Sequence, residues 1–105
     1  MTLYRTSPEI SELLSAWEQF DLGLHLREGM SESAYDRLRA ALLACANAWG
    51  DLPAIPRLGA NVLVDMFPAT EANAELYDGE VRDRILAISF EIQDLVRECV
   101  AISED

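Results

Sequence analysis

The stretch that decides the fold is Glu80–Ile102, EVRDRILAISFEIQDLVRECVAI. Val81, Ile85, Ile88, Ile92, Leu95, Cys99 and Ile102 recur at alternating four- and three-residue steps. That spacing keeps them on one side of a 3.6-residue helix and predicts a buried seam. A second stripe, Glu80, Asp83, Glu91, Asp94 and Glu98, has Ala87 as its only gap. At ~100° per residue the two stripes lie roughly a right angle apart. One helix therefore carries a core seam and an acidic ridge. Leu86, Phe90 and Val100 widen its apolar arc beyond that of an ordinary surface helix, so neighbours are expected on two sides.

Upstream, Ser7-Pro8 is a helix start, a capping residue followed by Pro at the first helical position. Ile10, Leu13, Leu14, Trp17, Phe20 and Leu24 follow at helical spacing; this helix should weaken at Gly23 and stop before Gly29. Residues 1–6 read as a loose arm. Ser31 caps the next helix, whose stripe is Tyr35, Leu38, Leu42, Cys45 and Trp49, and Gly50 stops it. DLPAIP, residues 51–56, breaks the chain with two prolines. The run 57–67 is apolar almost all round and so reads as buried; its Val content also fits a strand, but Pro56 suits a helix start and no strand partner is visible, so the expectation is a helix ended by Pro68. Thr70 should cap a short helix over Glu71–Tyr77, and Asp78-Gly79 resets the chain before the last one. The expectation is all-α: one domain, residues 1–105, an antiparallel bundle of four to five helices with the long C-terminal helix central.

With 105 residues, half of them hydrophobic, the chain can bury a core without staples. Its net charge is −11, from 19 acidic against 8 basic residues, and every base is Arg. Such a balance argues against nucleic acid, whose phosphates need cations, and against anionic lipid. It favours a basic protein partner, because a field of one sign steers opposite charge toward it. No apolar run reaches the ~20 residues of a membrane span. The N-terminus lacks a basic segment followed by an apolar one, so no signal peptide and a cytoplasmic location are expected. Cys45 and Cys99 sit on apolar faces and read as two buried thiols, with a disulfide between helices as the alternative.

Candidate chemistry is sparse. His25, the only histidine, follows Asp21 by four residues and can meet it on a helix face. Ser11 and Ser15 lie on another face, so this pair lacks a nucleophile and reads as structural. Asp21 falls within an apolar stripe and, if buried, needs a partner such as His25 or Trp17. E-x-x-E at Glu9–Glu12 and E-x-x-D at Glu80–Asp83 and Glu91–Asp94 evoke Mg²⁺-dependent all-helical nucleotide hydrolases. Carboxylates in a line spread charge along an axis and do not surround an ion, so no metal, cofactor or catalytic residue is expected.

The acidic ridge is different. Glu80–Asp83 and Glu91–Asp94 are eleven residues apart, close to three turns, and share a face that Glu98 extends. Like charges at this spacing cost a few tenths of a kcal/mol per pair, so a helix that tolerates them is a candidate for using them. Glu71, Glu75, Tyr77 and Asp78 extend the surface, with Tyr77 as a possible aromatic anchor. In size, charge and helical class the chain is similar to bacterial immunity proteins that neutralise nuclease toxins, a likeness of type carried by no residue motif. What that implies is a non-enzymatic inhibitor docking on a basic partner. The alternative is a self-associating bundle with Leu86 and Phe90 in a dimer seam.

Overall fold

A computed structural model describes residues 7–102. Four helices are present: α1 (Pro8–His25), α2 (Glu32–Trp49), α3 (Arg57–Ala74) and α4 (Gly79–Val100). Among the described residues there is no strand.

The ends follow local chemistry. Pro8 stands at the start of α1 behind an extended Ser7, although the Ser7 hydroxyl makes no capping bond. The stop of α1 is not made by glycine. Arg27 takes the left-handed conformation, φ 60°, while its N–H and that of Glu28 return to the carbonyls of Leu24 and Gly23. This is a Schellman closure with Arg where Gly is usual. At α2, the Ser31 Oγ accepts from the Ala34 N–H at 3.1 Å, as a capping serine should.

One boundary departs from expectation. Pro68 does not end a helix; α3 runs through it to Ala74 and absorbs the short helix expected over Glu71–Tyr77. Thr70 is accordingly buried inside α3 and caps nothing. The proline costs one ladder bond, that from position 68 to the Val64 carbonyl. Both residues face solvent, so water can take that carbonyl. Nor is α3 buried all round: Val62, Leu63 and Met66 are in the core, whereas Leu58 and Val64 are exposed.

Around the bundle the order is α1, α2, α4, α3, so α1 and α4 occupy opposite corners. Within the first hairpin Phe20 stacks on Tyr35, and Cys45 Sγ reaches the carbonyl of Glu9, so α1 and α2 run in opposite senses. Between hairpins the pairs Glu32–Arg84, Tyr35–Glu91 and Leu42–Cys99 climb together. Helices α2 and α4 therefore run the same way, and neighbours are antiparallel only inside each hairpin. The chain passes from α2 to α3 across the diagonal through residues 50–56. There Gly59 admits the Trp49 indole; a Cβ at Gly59 would stand 2.6 Å from its Cη2. Helix α4 packs on two sides, against α3 and α2, as its wide apolar arc predicts, and does not touch α1; its acid-rich arc faces water while Ile85, Ile88, Ile92 and Cys99 pack inward. The ends of its seam, Val81 and Ile102, are exposed, and Leu95 is half-buried.

Core polar groups are mostly satisfied. Asn73 Nδ2 donates to Asp21 Oδ1 at 2.8 Å, so the partner of Asp21 is neither His25 nor Trp17 but a residue of α3. His25 is exposed at the end of α1. Cys45 and Cys99 are buried free thiols. No helix is long and apolar enough to cross a membrane among the described residues.

Candidate protein-binding surface

The packing of α4 fixes where its carboxylates go. With Ile85, Ile88, Ile92 and Cys99 turned inward, Glu80, Asp83, Glu91, Asp94 and Glu98 are all exposed. They are not equivalent. Arg84 donates through Nε and Nη2 to both oxygens of Glu32 at 2.9 Å and through Nη1 to Glu91 at 3.3 Å. The Tyr35 hydroxyl donates to the other Glu91 oxygen at 3.0 Å. Glu91 thus belongs to a clasp between α2 and α4. Donating to Glu32 pushes the Arg84 guanidinium up, and burial followed by the hydrogen bond to Glu91 pushes the Tyr35 phenol up. Both side chains stay in the forms that make the clasp.

Asp94 pairs loosely with Arg97 at 3.5 Å, both well exposed, an arrangement worth little. Glu80, Asp83 and Glu98 have no ion-pair partner among the described residues. On the extension, Glu75 pairs with Arg82 at 3.2 Å, while Glu71 and Asp78 are exposed without one among the described residues. Tyr77 is committed at its hydroxyl, which donates to the Leu24 carbonyl at 2.8 Å and accepts from the Gly29 N–H at 3.2 Å. It ties the α3–α4 turn to the end of α1, and its half-buried ring packs against the core.

Leu86 and Phe90 part company. Leu86 is half-buried against the core, whereas Phe90 is 56% exposed. Phe90 stacks on Phe67 of α3, ring centroids 5.6 Å apart and planes tilted by 52°. Seven residues back and four on, Asp83 and Asp94 share its side of the helix. An aromatic side chain is therefore flanked along the rod by carboxylates. No family model, curated protein or solved structure matches the chain. The surface is read on its own chemistry.

The two thiols are pushed up by burial, Cys45 to about 12 and Cys99 to about 11, and so are held as unreactive thiols. No group of three or more His, Cys, Asp or Glu side chains converges as a metal site among the described residues. A cleft of about 590 Å³ lies at the other end of the bundle, lined by Trp49, Leu52, Ile55, Cys99, Val100 and Ile102 among others. Among the described residues its ionisable groups are Asp51 and the buried Cys99 thiol. The α3 half of the aromatic pair escaped the sequence reading, which took residues 57–67 as interior. The signal was there in Val64, Phe67, Pro68 and Glu71, whose spacing of three, four and seven marks one helix face.

Proposed function

We propose that this protein is an acidic binding module that captures a basic protein partner on the outer side of α4, as an inhibitor of a nuclease toxin would in the cytoplasm. One observation carries the reading: Glu80, Asp83 and Glu98 point outward along a single rod with no cation of the chain spent on them among the described residues. Stability does not call for this arrangement, since the like charges repel. As a docking surface it raises the encounter rate with a cationic protein and fixes its orientation. A nuclease active site, built to hold phosphates, is such a surface, and a line of carboxylates offers it comparable charge.

The test uses the partner recovered from the source cell and identified. Its affinity is measured at about 0.05 M and about 0.5 M salt, where screening lengths differ several-fold. Binding should weaken by one to two orders of magnitude at the higher salt. A chain carrying Glu80→Arg, Asp83→Arg and Glu98→Arg should lose most of the low-salt affinity; equal binding by that variant would sink the reading. The exposure of Phe90 favours a second reading, self-association through α4. That would bury apolar surface and be nearly insensitive to salt, so sedimentation at both ionic strengths separates the two.

A further inference from the structure

Two exposed apolar side chains flank the seam between α3 and α4. Val64 is 69% exposed and Phe90 is 56% exposed. Phe67 lies half-buried between them in sequence register, in contact with Phe90. Val64, Phe67, Pro68 and Glu71 share one face of α3, and Asp83, Leu86, Phe90 and Asp94 share one face of α4. The Phe67–Phe90 contact sets these faces side by side. The outcome is a shallow trough with an apolar floor and carboxylates on both rims, Glu71 on the α3 side and Asp83 and Asp94 on the α4 side. Among the described residues the cations beside it are Arg97, next to Asp94 at 3.5 Å, Arg82, which pairs with Glu75 at 3.2 Å, and Arg57, seven residues before Val64 on α3.

We infer that this trough seats an amphipathic cationic helix of the partner, with its apolar stripe on Val64, Phe67 and Phe90 and its Lys or Arg flanks against Glu71, Asp83 and Asp94. The inference rests on the binding reading above and adds the kind of segment recognised and the contribution of α3. Charge decides the occupant. A second copy of this chain would set the same carboxylates against themselves, on molecules that each carry −11. A purely charged loop would leave the aromatic floor wet. A helix fits in scale as well, since Asp83 to Asp94 is eleven residues, about 16 Å of rod or three turns of an apposed helix. Its stripe would rest on the aromatic pair in the way amphipathic targets seat in apolar grooves, and the carboxylates would form the polar rim around an apolar anchor.

The probe is an end-blocked synthetic peptide of Leu, Lys and Arg with Leu at positions i, i+3, i+4 and i+7. Its control is a shuffled peptide of the same composition without the stripe. Both are titrated into the full chain by calorimetry, with amide shift mapping. The patterned peptide should bind at least about tenfold tighter than the shuffled one and shift the amides around Phe67 and Phe90. Phe90→Ser and Val64→Ser, exposed changes whose fold is checked by circular dichroism, should each reduce its affinity about tenfold and leave the shuffled peptide unaffected. If the two peptides bind alike and both lose affinity in the ridge variant, the helix inference falls while charge capture stands. If the patterned peptide binds but the natural partner ignores the ridge variant, the trough stands and the nuclease-inhibitor reading falls. Binding of neither peptide overturns the inference, as does a dimer in sedimentation that Phe90→Ser dissolves.

Discussion

Replacing Gly59 by Ala sets two known effects against each other, and the structure says which wins. Ala is favoured over Gly in a helix by up to about 1 kcal/mol, less in the first turn where Gly59 stands, so on α3 alone the change should stabilise. The added methyl, however, would stand 2.6 Å from Cη2, 3.0 Å from Cζ2 and 3.4 Å from Cζ3 of Trp49. Carbon atoms rest at about 3.5–4.0 Å, so the closest approach is short by about 1 Å. Trp49 is 3% exposed and its ring is rigid, so it cannot swing into solvent. Relief must come from moving α3 away from the end of α2, and overpacking of this kind costs about 1–3 kcal/mol. The expected net is a loss of about 1 kcal/mol, or about 4–8 °C in Tm for a domain of this size. Urea unfolding followed by far-ultraviolet circular dichroism measures it without depending on the tryptophan. In a Trp49→Leu background the obstacle is gone, and Gly59→Ala should then stabilise, reversing the sign. A gain of about 1 kcal/mol in the wild-type background, or additivity of the two changes within about 0.5 kcal/mol, would refute the reasoning.

Thr70 is fully buried and its hydroxyl has no partner. Thr70→Val keeps the branched shape, removes the orphaned group, and should raise the urea midpoint, by about 1–2 kcal/mol in stability. Thr70→Ser keeps the orphan, loses a methyl, and should lower the midpoint. The thiols make the protein labile to alkali. Burial raises Cys45 to about 12 and Cys99 to about 11 from an ordinary 9.0, so the folded state holds protons that the unfolded chain releases. Their contribution is complete below about pH 9 and declines as pH climbs toward the folded values, by up to about 1.4 kcal/mol per pH unit for each group. Urea midpoints measured from about pH 8 to about pH 10.5 should fall accordingly, and a chain with Cys45→Ala and Cys99→Ala should flatten the decline.

What could be read from the chain alone was whatever depends on near neighbours. The cap at Ser31, the end of α2 before Gly50 and the seam of Ile85, Ile88 and Ile92 are set by residues within a few turns, and they stand as expected, although Gly50 itself is right-handed, φ −57°, and makes no left-handed glycine stop. What could not be read is set by distant partners. Asp21 finds Asn73 and Tyr77 finds Leu24, 52 and 53 residues away, and no local pattern names those pairs. Pro68 reads locally as a helix end yet lies inside α3 for a related reason: its cost depends on whether the freed carbonyl meets water, which only the packing of α3 decides. Val64 is exposed although its neighbours in sequence are apolar, because burial in α3 follows the helix face and not the run of apolar residues. The ridge on α4 was legible as geometry, since five carboxylates at helical spacing must share a side. That Glu91 is drawn into a clasp with Arg84 and Tyr35 was not, because both partners depend on how the hairpins dock.

The passage across the diagonal at residues 50–56 also bears on how copies of this chain can entangle. Everything that joins one hairpin to the other is side-chain packing, hydrogen bonds and ion pairs, and only that short proline-bearing segment makes the two halves the same molecule. A second chain offers each half an identical mate. If the segment straightens, two chains can trade halves and keep the Arg84–Glu32 and Asn73–Asp21 pairs intact, as exchanged dimers of other proteins do. Such a pair would carry two α3–α4 seams in one particle, and its abundance would rise with the concentration of the sample.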